Sequence, residues 1–495
     1  MKKPELLDFD QERIRMLHFT WIAFFITFFL WFNMAPLAST MLDKLDWMTP
    51  EHIKILAICN VALTIPARIV VGSLIDRYGP RKIFSGLLIV MSIPVFFFAF
   101  GNTFMQLLVS RLILSSIGAG FVIGIRLVAD WFPPKMVGRA EGFYAGWGNF
   151  GSAFAAMTLP WIALELFKSY EEGWRYALAI NGVVSFVYGF IYYRVAKDVP
   201  EGKKFVGVKK TQPFIATSWG DLVQLVLWSF PLVGALGALA WRLSNVSLSD
   251  TGEPFISEEL LYIIWGILLL VFFAHIGKTL QVNIPLLKKG FAKKDRYSFS
   301  SVAALNTTYF ANFGAELAVV SMLPVFFEST FSISPTMAGM VAASFAVVNL
   351  FARPIGGVLS DALGNRKRTM LIYMCGITLG FLAMGFINAA WPLWVAIAVT
   401  IMCSLFVQGA EGATFAVIPF VKKNMTGQIS GMAGAYGNVG AVVYLIIYSM
   451  VDASTFFYIL SAGAAFSFLF CLIFLKEPEG SFAEEHVEDV VVEAH

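Results

Sequence analysis

Long apolar stretches follow one another along almost the whole chain, separated by short polar segments. Each is at least about 18 residues long, enough to cross a hydrocarbon core of about 30 Å as a helix. The pattern predicts fourteen spans. Six come first, at 17–38, 52–75, 83–101, 104–131, 138–163 and 174–196. Two follow at 220–242 and 258–279, and a last six at 299–327, 336–361, 369–388, 391–419, 427–450 and 454–476.

Basic residues sort by side. Lys2, Lys3, Arg13 and Arg15 precede the first span, and Arg77, Arg81 and Lys82 follow the second. Lys197, Lys203, Lys204, Lys209 and Lys210 follow the sixth, and Lys288, Lys289, Lys293, Lys294 and Arg296 follow the eighth. Arg366, Lys367 and Arg368 follow the tenth, and Lys422 and Lys423 the twelfth. With fourteen spans, all these segments share one face. The positive-inside rule then predicts a multi-pass protein of the cell membrane with both termini cytoplasmic.

Composition agrees with a lipid environment: 58% of residues are hydrophobic and 14% charged, against about a quarter charged in soluble domains. The net charge of +3 says little, because membrane proteins sort their charge by side, and no nucleic-acid partner is expected. Cys59, Cys375, Cys403 and Cys471 all lie in apolar runs, as small hydrophobes rather than a disulfide or metal framework. The charged opening and the long first run predict no cleavable leader. His18, His52, His275, His486 and His495 are scattered, with no nucleophile–His–acid set and no glycine loop after a strand. These features exclude the common enzyme classes and predict no cofactor and no metal. A membrane sensor or scaffold is a remote alternative, but the linkers leave no room for an output domain.

The chain repeats itself. "ARIVVGSLIDRYGPRK" (Ala67 to Lys82) and "ARPIGGVLSDALGNRK" (Ala352 to Lys367) agree at eight of sixteen positions. "GRAEGFYAGWGNFG" from Gly138 matches "GQISGMAGAYGNVG" from Gly427, and Met34 and Pro36 find Met322 and Pro324. All offsets lie between 285 and 289, so the two six-helix halves are parallel copies flanking an inserted pair. The expected layout is a bundle over 1–199, linkers plus the helix pair 220–279 over 200–297, a second bundle over 298–478, and an acidic, solvated tail over 479–495 with Glu484, Glu485, Glu488, Asp489 and Glu493.

Gly72-x-x-x-Asp76-x-x-Gly79-x-Arg81-Lys82 resembles the signature of the major facilitator superfamily after its second helix. "AGWGNFG" and "GAYGNVG" resemble the two signatures of the nitrate/nitrite porter family. "ANFGAEL" (Ala311–Leu317) and "AEGATFAVIPFV" (Ala410–Val421) are similar to its proton-coupled branch. The resemblance spans both halves; the extra pair over 220–279 departs from the usual twelve helices. It implies an all-α major facilitator fold and a secondary transporter working by alternating access. The implied cargo is nitrate, or nitrite, and the site lies at mid-membrane between the halves.

The residues argue in the same direction. Arg68 lies about eight residues, roughly 12 Å, from the cytoplasmic end of its helix, and Arg353 sits at the same depth. Arginine at bilayer centre costs roughly 2.5–3.5 kcal/mol, so each must face the interior with a partner. A planar oxyanion between them relieves both, because the guanidinium fork donates two parallel hydrogen bonds; an internal acid for each is the alternative. Asn149 and Asn438, beside Gly148 and Gly437 in the signatures, offer neutral donors for the remaining oxygen. Gly138, Gly142, Gly427 and Gly431 read as close-packing positions. The resemblance makes Tyr309 a hydroxyl donor and Phe313 an apolar clamp; Phe24, Phe25 and Trp31 are candidates for the opposite wall.

Glu316 and Glu411 are intramembrane acids, and a carboxyl removed from water can hold a proton near neutral pH. They are candidates for proton coupling, or else structural partners of Arg353. Arg111 and Arg126 read as further buried charges, with Glu141 or Asp130 as partners for Arg126. Asp76, Gly79, Arg81 and Lys82, with Asp361, Gly364, Arg366 and Lys367, are expected to gate the cytoplasmic side. Inward movement of an anion against the membrane voltage costs about 2.3 kcal/mol per 100 mV. Symport with protons therefore leads, and exchange of nitrate for nitrite is the alternative.

Overall fold

The computed structural model describes residues 5–202, 205, 214–247, 254–292, 295–422 and 425–478. The acidic tail and Lys203, Lys204, Lys209, Lys210, Lys293, Lys294 and Lys423 lie outside the described residues. Helix covers each of the fourteen apolar stretches: α1 Glu12–Lys44, α2 Pro50–Ile75, α3 Pro80–Ala99, α4 Phe104–Trp131, α5 Pro134–Trp161, α6 Gly173–Val195, α7 Trp219–Ser244, α8 Glu258–Lys289, α9 Phe299–Phe331, α10 Pro335–Ser360, α11 Arg366–Met384, α12 Leu393–Val421, α13 Gln428–Tyr448 and α14 Ala453–Phe474. Among the described residues, twelve of these are long and apolar enough to cross a membrane. The other two are α5 and α11, where glycines with Asn149, or the basic start Arg366–Arg368, dilute the apolar content.

Several helices are interrupted where the site lies. The two helical pieces of α2 meet at Leu63 and those of α10 at Val348, each five residues before its arginine. In α2 the break is followed by Pro66, whose missing N–H falls in the first turn, where no intrahelical partner is needed. α9 breaks at Asn312, whose side chain accepts from the N–H of Phe313 and caps the second piece.

Within each half the backbones come close at glycines. A methyl group on Gly151 would lie 2.1 Å from the Phe25 carbonyl, joining α5 to α1; one on Gly440 would lie 2.5 Å from the Phe310 carbonyl, joining α13 to α9. In the C-terminal half, Gly356 meets the Gly409 carbonyl and Gly412 meets the Arg353 carbonyl, each at 2.0 Å from the added methyl. α10 and α12 are thereby pressed together around Arg353.

The halves touch along two seams related by the duplication, α5 with α10 and α13 with α2. Gly142 faces Pro354 and Gly146 faces the Asn349 carbonyl, which supports the packing expectation for Gly142. Gly431 differs, because nothing lies within 4 Å of a methyl added there. The surroundings of Gly138 and Gly427 lie outside the described residues.

The inserted helices are unequal. α7 packs on α13, α12's neighbour in the C-terminal half, and on the start of α9, whereas α8 leans mainly on α7 and exposes most of its surface.

Candidate functional site

Arg68 and Arg353 are both buried, and their guanidiniums share one chamber. The guanidinium carbon of Arg68 lies 5.1 Å from the Phe121 ring centre and 5.5 Å from that of Phe313. For Arg353 the same two distances are 5.7 and 5.8 Å. Phe121 comes from α4 and Phe313 from α9, so one ring from each half contacts both cations. The negative faces of aromatic rings favour cations there by about 0.5–2 kcal/mol each.

The two arginines are not equivalent. Arg68 Nη1 donates across the seam to the Gly434 carbonyl at 2.6 Å, while Nε and Nη2 have no hydrogen-bond partner among the described residues. Nε and Nη2 form one edge of the guanidinium, the edge that receives two oxygens of a planar oxyanion. Arg353 is engaged: Nη2 donates to the Tyr309 hydroxyl at 2.8 Å, and Nη1 lies 2.6 Å from Glu411 Oε2. Of the two acids considered as partners for Arg353, the fold selects Glu411. Glu316 instead accepts from Asn349 Nδ2 at 2.5 Å.

Glu316 on α9 and Glu411 on α12 are both buried. Among the described residues, no carboxylate pairs with Arg68.

Tyr309 stacks on Phe313 with ring centres 5.0 Å apart and planes 13° apart, and Phe415 meets Tyr309 edge-on at 5.1 Å. Gly437 is the floor of that stack: a methyl there would lie 2.6 Å from Phe313 and 2.7 Å from Tyr309. Gly148 does the same for Phe24, which stacks on Tyr144 and contacts Phe121 at 5.9 Å. Gly437→Ala is expected to displace both rings and cost about 1–3 kcal/mol by overpacking. A lower melting temperature in detergent together with weaker nitrate binding checks this. Binding at wild-type strength would separate Gly437 from the site.

Asn149 is fully buried and neither side-chain atom has a partner among the described residues. Asn438 Nδ2 donates to the Gly434 carbonyl at 3.0 Å, the same acceptor that Arg68 uses, and its Oδ1 is unpartnered. Of the proposed opposite wall, Phe24 alone reaches the chamber. Phe25 packs with Trp21, Phe150 and Phe154, and Trp31 donates to the Asn60 carbonyl deep in the N-terminal half.

Two expectations need correction or sharpening. Arg126 is not a buried charge; its side chain is 45% exposed and pairs with Asp130 at 3.0 Å. Arg111 is buried, but its partners are amides: Asn33 Oδ1 at 2.5 Å and Asn60 Oδ1 at 3.4 Å, with Phe98 beneath at 3.8 Å.

The expected gating turns take the conformation their glycines allow, with φ of +88° at Gly79 and +61° at Gly364. The N–H of Arg81 donates to Asp198 Oδ1 at 2.8 Å. In the second copy, Glu477 accepts from the N–H groups of Arg366 at 3.0 Å and Lys367 at 2.7 Å. Each half thus caps the helix after its motif with an acid from just beyond its last span. The guanidinium of Arg81 lies over Tyr193 and that of Arg366 over Phe420, while Lys82 is exposed. The side chains of Asp76 and Asp361 lie outside the described residues. Asp198 and Glu477 escaped sequence reasoning, although the repeated Pro-Glu-Gly at 200–202 and 478–480 marks the neighbourhood. Phe121 and Asn349 also escaped, since nothing sets them apart from other membrane residues.

The profile of the Major Facilitator Superfamily matches residues 20–306 and 305–491. The chain is 46% identical to a protein of Nostoc punctiforme called nitrate/nitrite transporter NrtP, over 95% of this chain and 94% of that one. A protein of the same name from Picosynechococcus is 42% identical over 96% and 95%. The high affinity nitrate transporter 2.5 of Arabidopsis thaliana is 26% identical over 96% and 83%. Among solved structures, the xylose transporter XylE of E. coli in a partially occluded inward-open conformation superposes with a TM-score of 0.62 at 14% identity, covering 94% of this chain and 99% of that one. That likeness concerns the fold alone.

Proposed function

The chain belongs to the major facilitator superfamily, within its nitrate/nitrite porters, and from this premise we propose that it imports nitrate by alternating access, coupled to protons, with nitrite as a second cargo. The observation that carries this reading is the open Nε/Nη2 edge of Arg68 beside an Arg353 already held by Glu411. Nitrate takes the open fork first. Two protons on the Glu316–Glu411 pair then remove the charge that holds Arg353, and that guanidinium turns to the anion. Proton and nitrate each strengthen the other's binding, as linkage demands.

With two protons per nitrate the moving charge is positive, and the membrane voltage drives entry instead of opposing it at about 2.3 kcal/mol per 100 mV. We also infer that α5 and α11 cross the membrane, giving fourteen spans in a 6+2+6 order with cytoplasmic termini in the cell membrane. The boundaries are 1–199, 200–297, 298–478 and 479–495. The motif turns around Asp76, Gly79, Arg81 and Lys82, and around Asp361, Gly364, Arg366 and Lys367, gate the inner side.

Uptake of labelled nitrate into liposomes is the test. An imposed inward proton gradient is expected to drive accumulation with no anion inside. Uptake indifferent to pH but accelerated by trapped nitrite would replace symport by exchange, and no uptake of either anion would remove the reading altogether.

A further inference from the structure

The inserted helix α7 touches both halves, and it does so unequally. Its first turn is tied to the C-terminal half: Asp221 Oδ1 accepts from the N–H of Phe299 at 2.9 Å, and Thr217 Oγ1 accepts from the N–H of Tyr297 at 3.1 Å. Its middle is tied there too, where Trp228 packs on Tyr436 and Phe470 and its carbonyl accepts from the Tyr436 hydroxyl. Its last turn reaches the N-terminal half.

Arg242 stands in that last turn, with its side chain only 10% exposed. Its Nη2 pairs with Glu51, in the first turn of α2. Its Nε donates to Ser449 Oγ at 2.7 Å and its Nη2 to the Ser449 carbonyl at 3.3 Å, at the end of α13. One guanidinium therefore joins three helix ends from both halves. Each end suits its charge: the acid stands at a helix N-terminus, and the cation meets C-terminal carbonyls.

The α2–α13 seam is the one that Arg68 crosses at mid-membrane. On the face away from the chain termini, Lys54 of α2 lies over Tyr448 of α13 at 5.5 Å, beside the Arg242 contact. The hairpin after α7 adds to the cover: Phe255 meets Phe104 at 5.5 Å, and Phe104 meets His52 of α2 at 4.6 Å. For the chamber to open on that face, α2 and α13 must part, and Arg242 cannot keep both partners.

We propose that α7 is a built-in latch on this outer seam, with Arg242 as the bolt between Glu51 and Ser449. The inserted pair then sets how readily the protein opens outward, without lining the chamber. This rests on the alternating-access reading above. The latch strength follows from a partly buried, charged hydrogen-bond cluster, and its loss favours the outward-open population roughly tenfold.

Pulsed spin-label distances across the seam test this in the full chain in liposomes. Labels go on exposed Asp46 and Met450, each changed to cysteine after the four native cysteines are replaced. Arg242→Ala and Glu51→Gln are each expected to enlarge the long-distance population about tenfold over the parent. The near-isosteric Glu51→Gln carries the test alone if Arg242→Ala does not fold. Unchanged distance distributions in the folded variants would overturn the latch. Alternating access is judged separately, by whether the parent's own distances respond to nitrate and a proton gradient.

Discussion

Arg68→Lys keeps the charge and the fold and loses nitrate binding by roughly a hundredfold, the worth of about 3 kcal/mol in charged hydrogen bonds. The reason lies in which donors are already used. Nη1 of Arg68 is taken by the Gly434 carbonyl, and the Nε/Nη2 edge is left for the ligand. Lysine presents a single ammonium whose three N–H groups diverge, so it has no pair of parallel donors for a planar anion. Calorimetric titration of nitrate into the purified protein, with thermal melts as a check on folding, measures the effect. Arg353→Lys is expected to differ in kind: its fork is engaged by Tyr309 and Glu411 in this conformation, so the loss appears mainly in proton-driven uptake. Wild-type affinity in Arg68→Lys would dismiss the open fork as the anion site.

Glu411→Gln abolishes the response of nitrate binding to pH. In the parent, tight binding takes up a proton on the Glu316–Glu411 pair, so affinity rises as pH falls and declines as pH rises. Nitrate itself stays ionised throughout, which leaves the carboxyls as the source of the slope. The amide introduced by Glu411→Gln cannot take that proton, and it no longer holds Arg353 by charge. Binding should therefore be flat with pH, net uptake on a proton gradient should fail, and exchange of nitrate for nitrate should survive. Glu316→Gln is expected to give a partial form of the same change, because Glu316 is held by Asn349 while Glu411 pairs with Arg353. A parent protein whose affinity ignores pH would retire the proton pair.

Much of this site was legible in the chain alone. Arg68 and Arg353 stood out because a cation inside an apolar run is costly, and its repetition 285 residues later makes chance a poor account. Glu316 and Glu411 stood out for the same reason. Tyr309 and Phe313, four residues apart, read as one face of a helix, and their rings do stack. Phe121 was invisible among 48 phenylalanines, because its role depends on α4 facing α9 across the halves. Arg126 misled in the opposite direction, since an arginine near a span's end looks the same in sequence whether it points inward or toward water.

Hydropathy, the distribution of Lys and Arg, and the duplication are local or one-dimensional properties. By themselves they determined the helices, the two related halves and the short roster of charged groups that lipid would not tolerate unpaired. Partnership is a different kind of fact. That Glu411 and not Glu316 meets Arg353, that Arg68 commits one donor to Gly434 and leaves an edge open, and that Arg242 joins Glu51 to Ser449 were decided only by tertiary structure. Each pairing spans tens to hundreds of residues. Electrostatics and hydrogen bonding act over a few ångströms in space, and helix packing alone brings those atoms within that range.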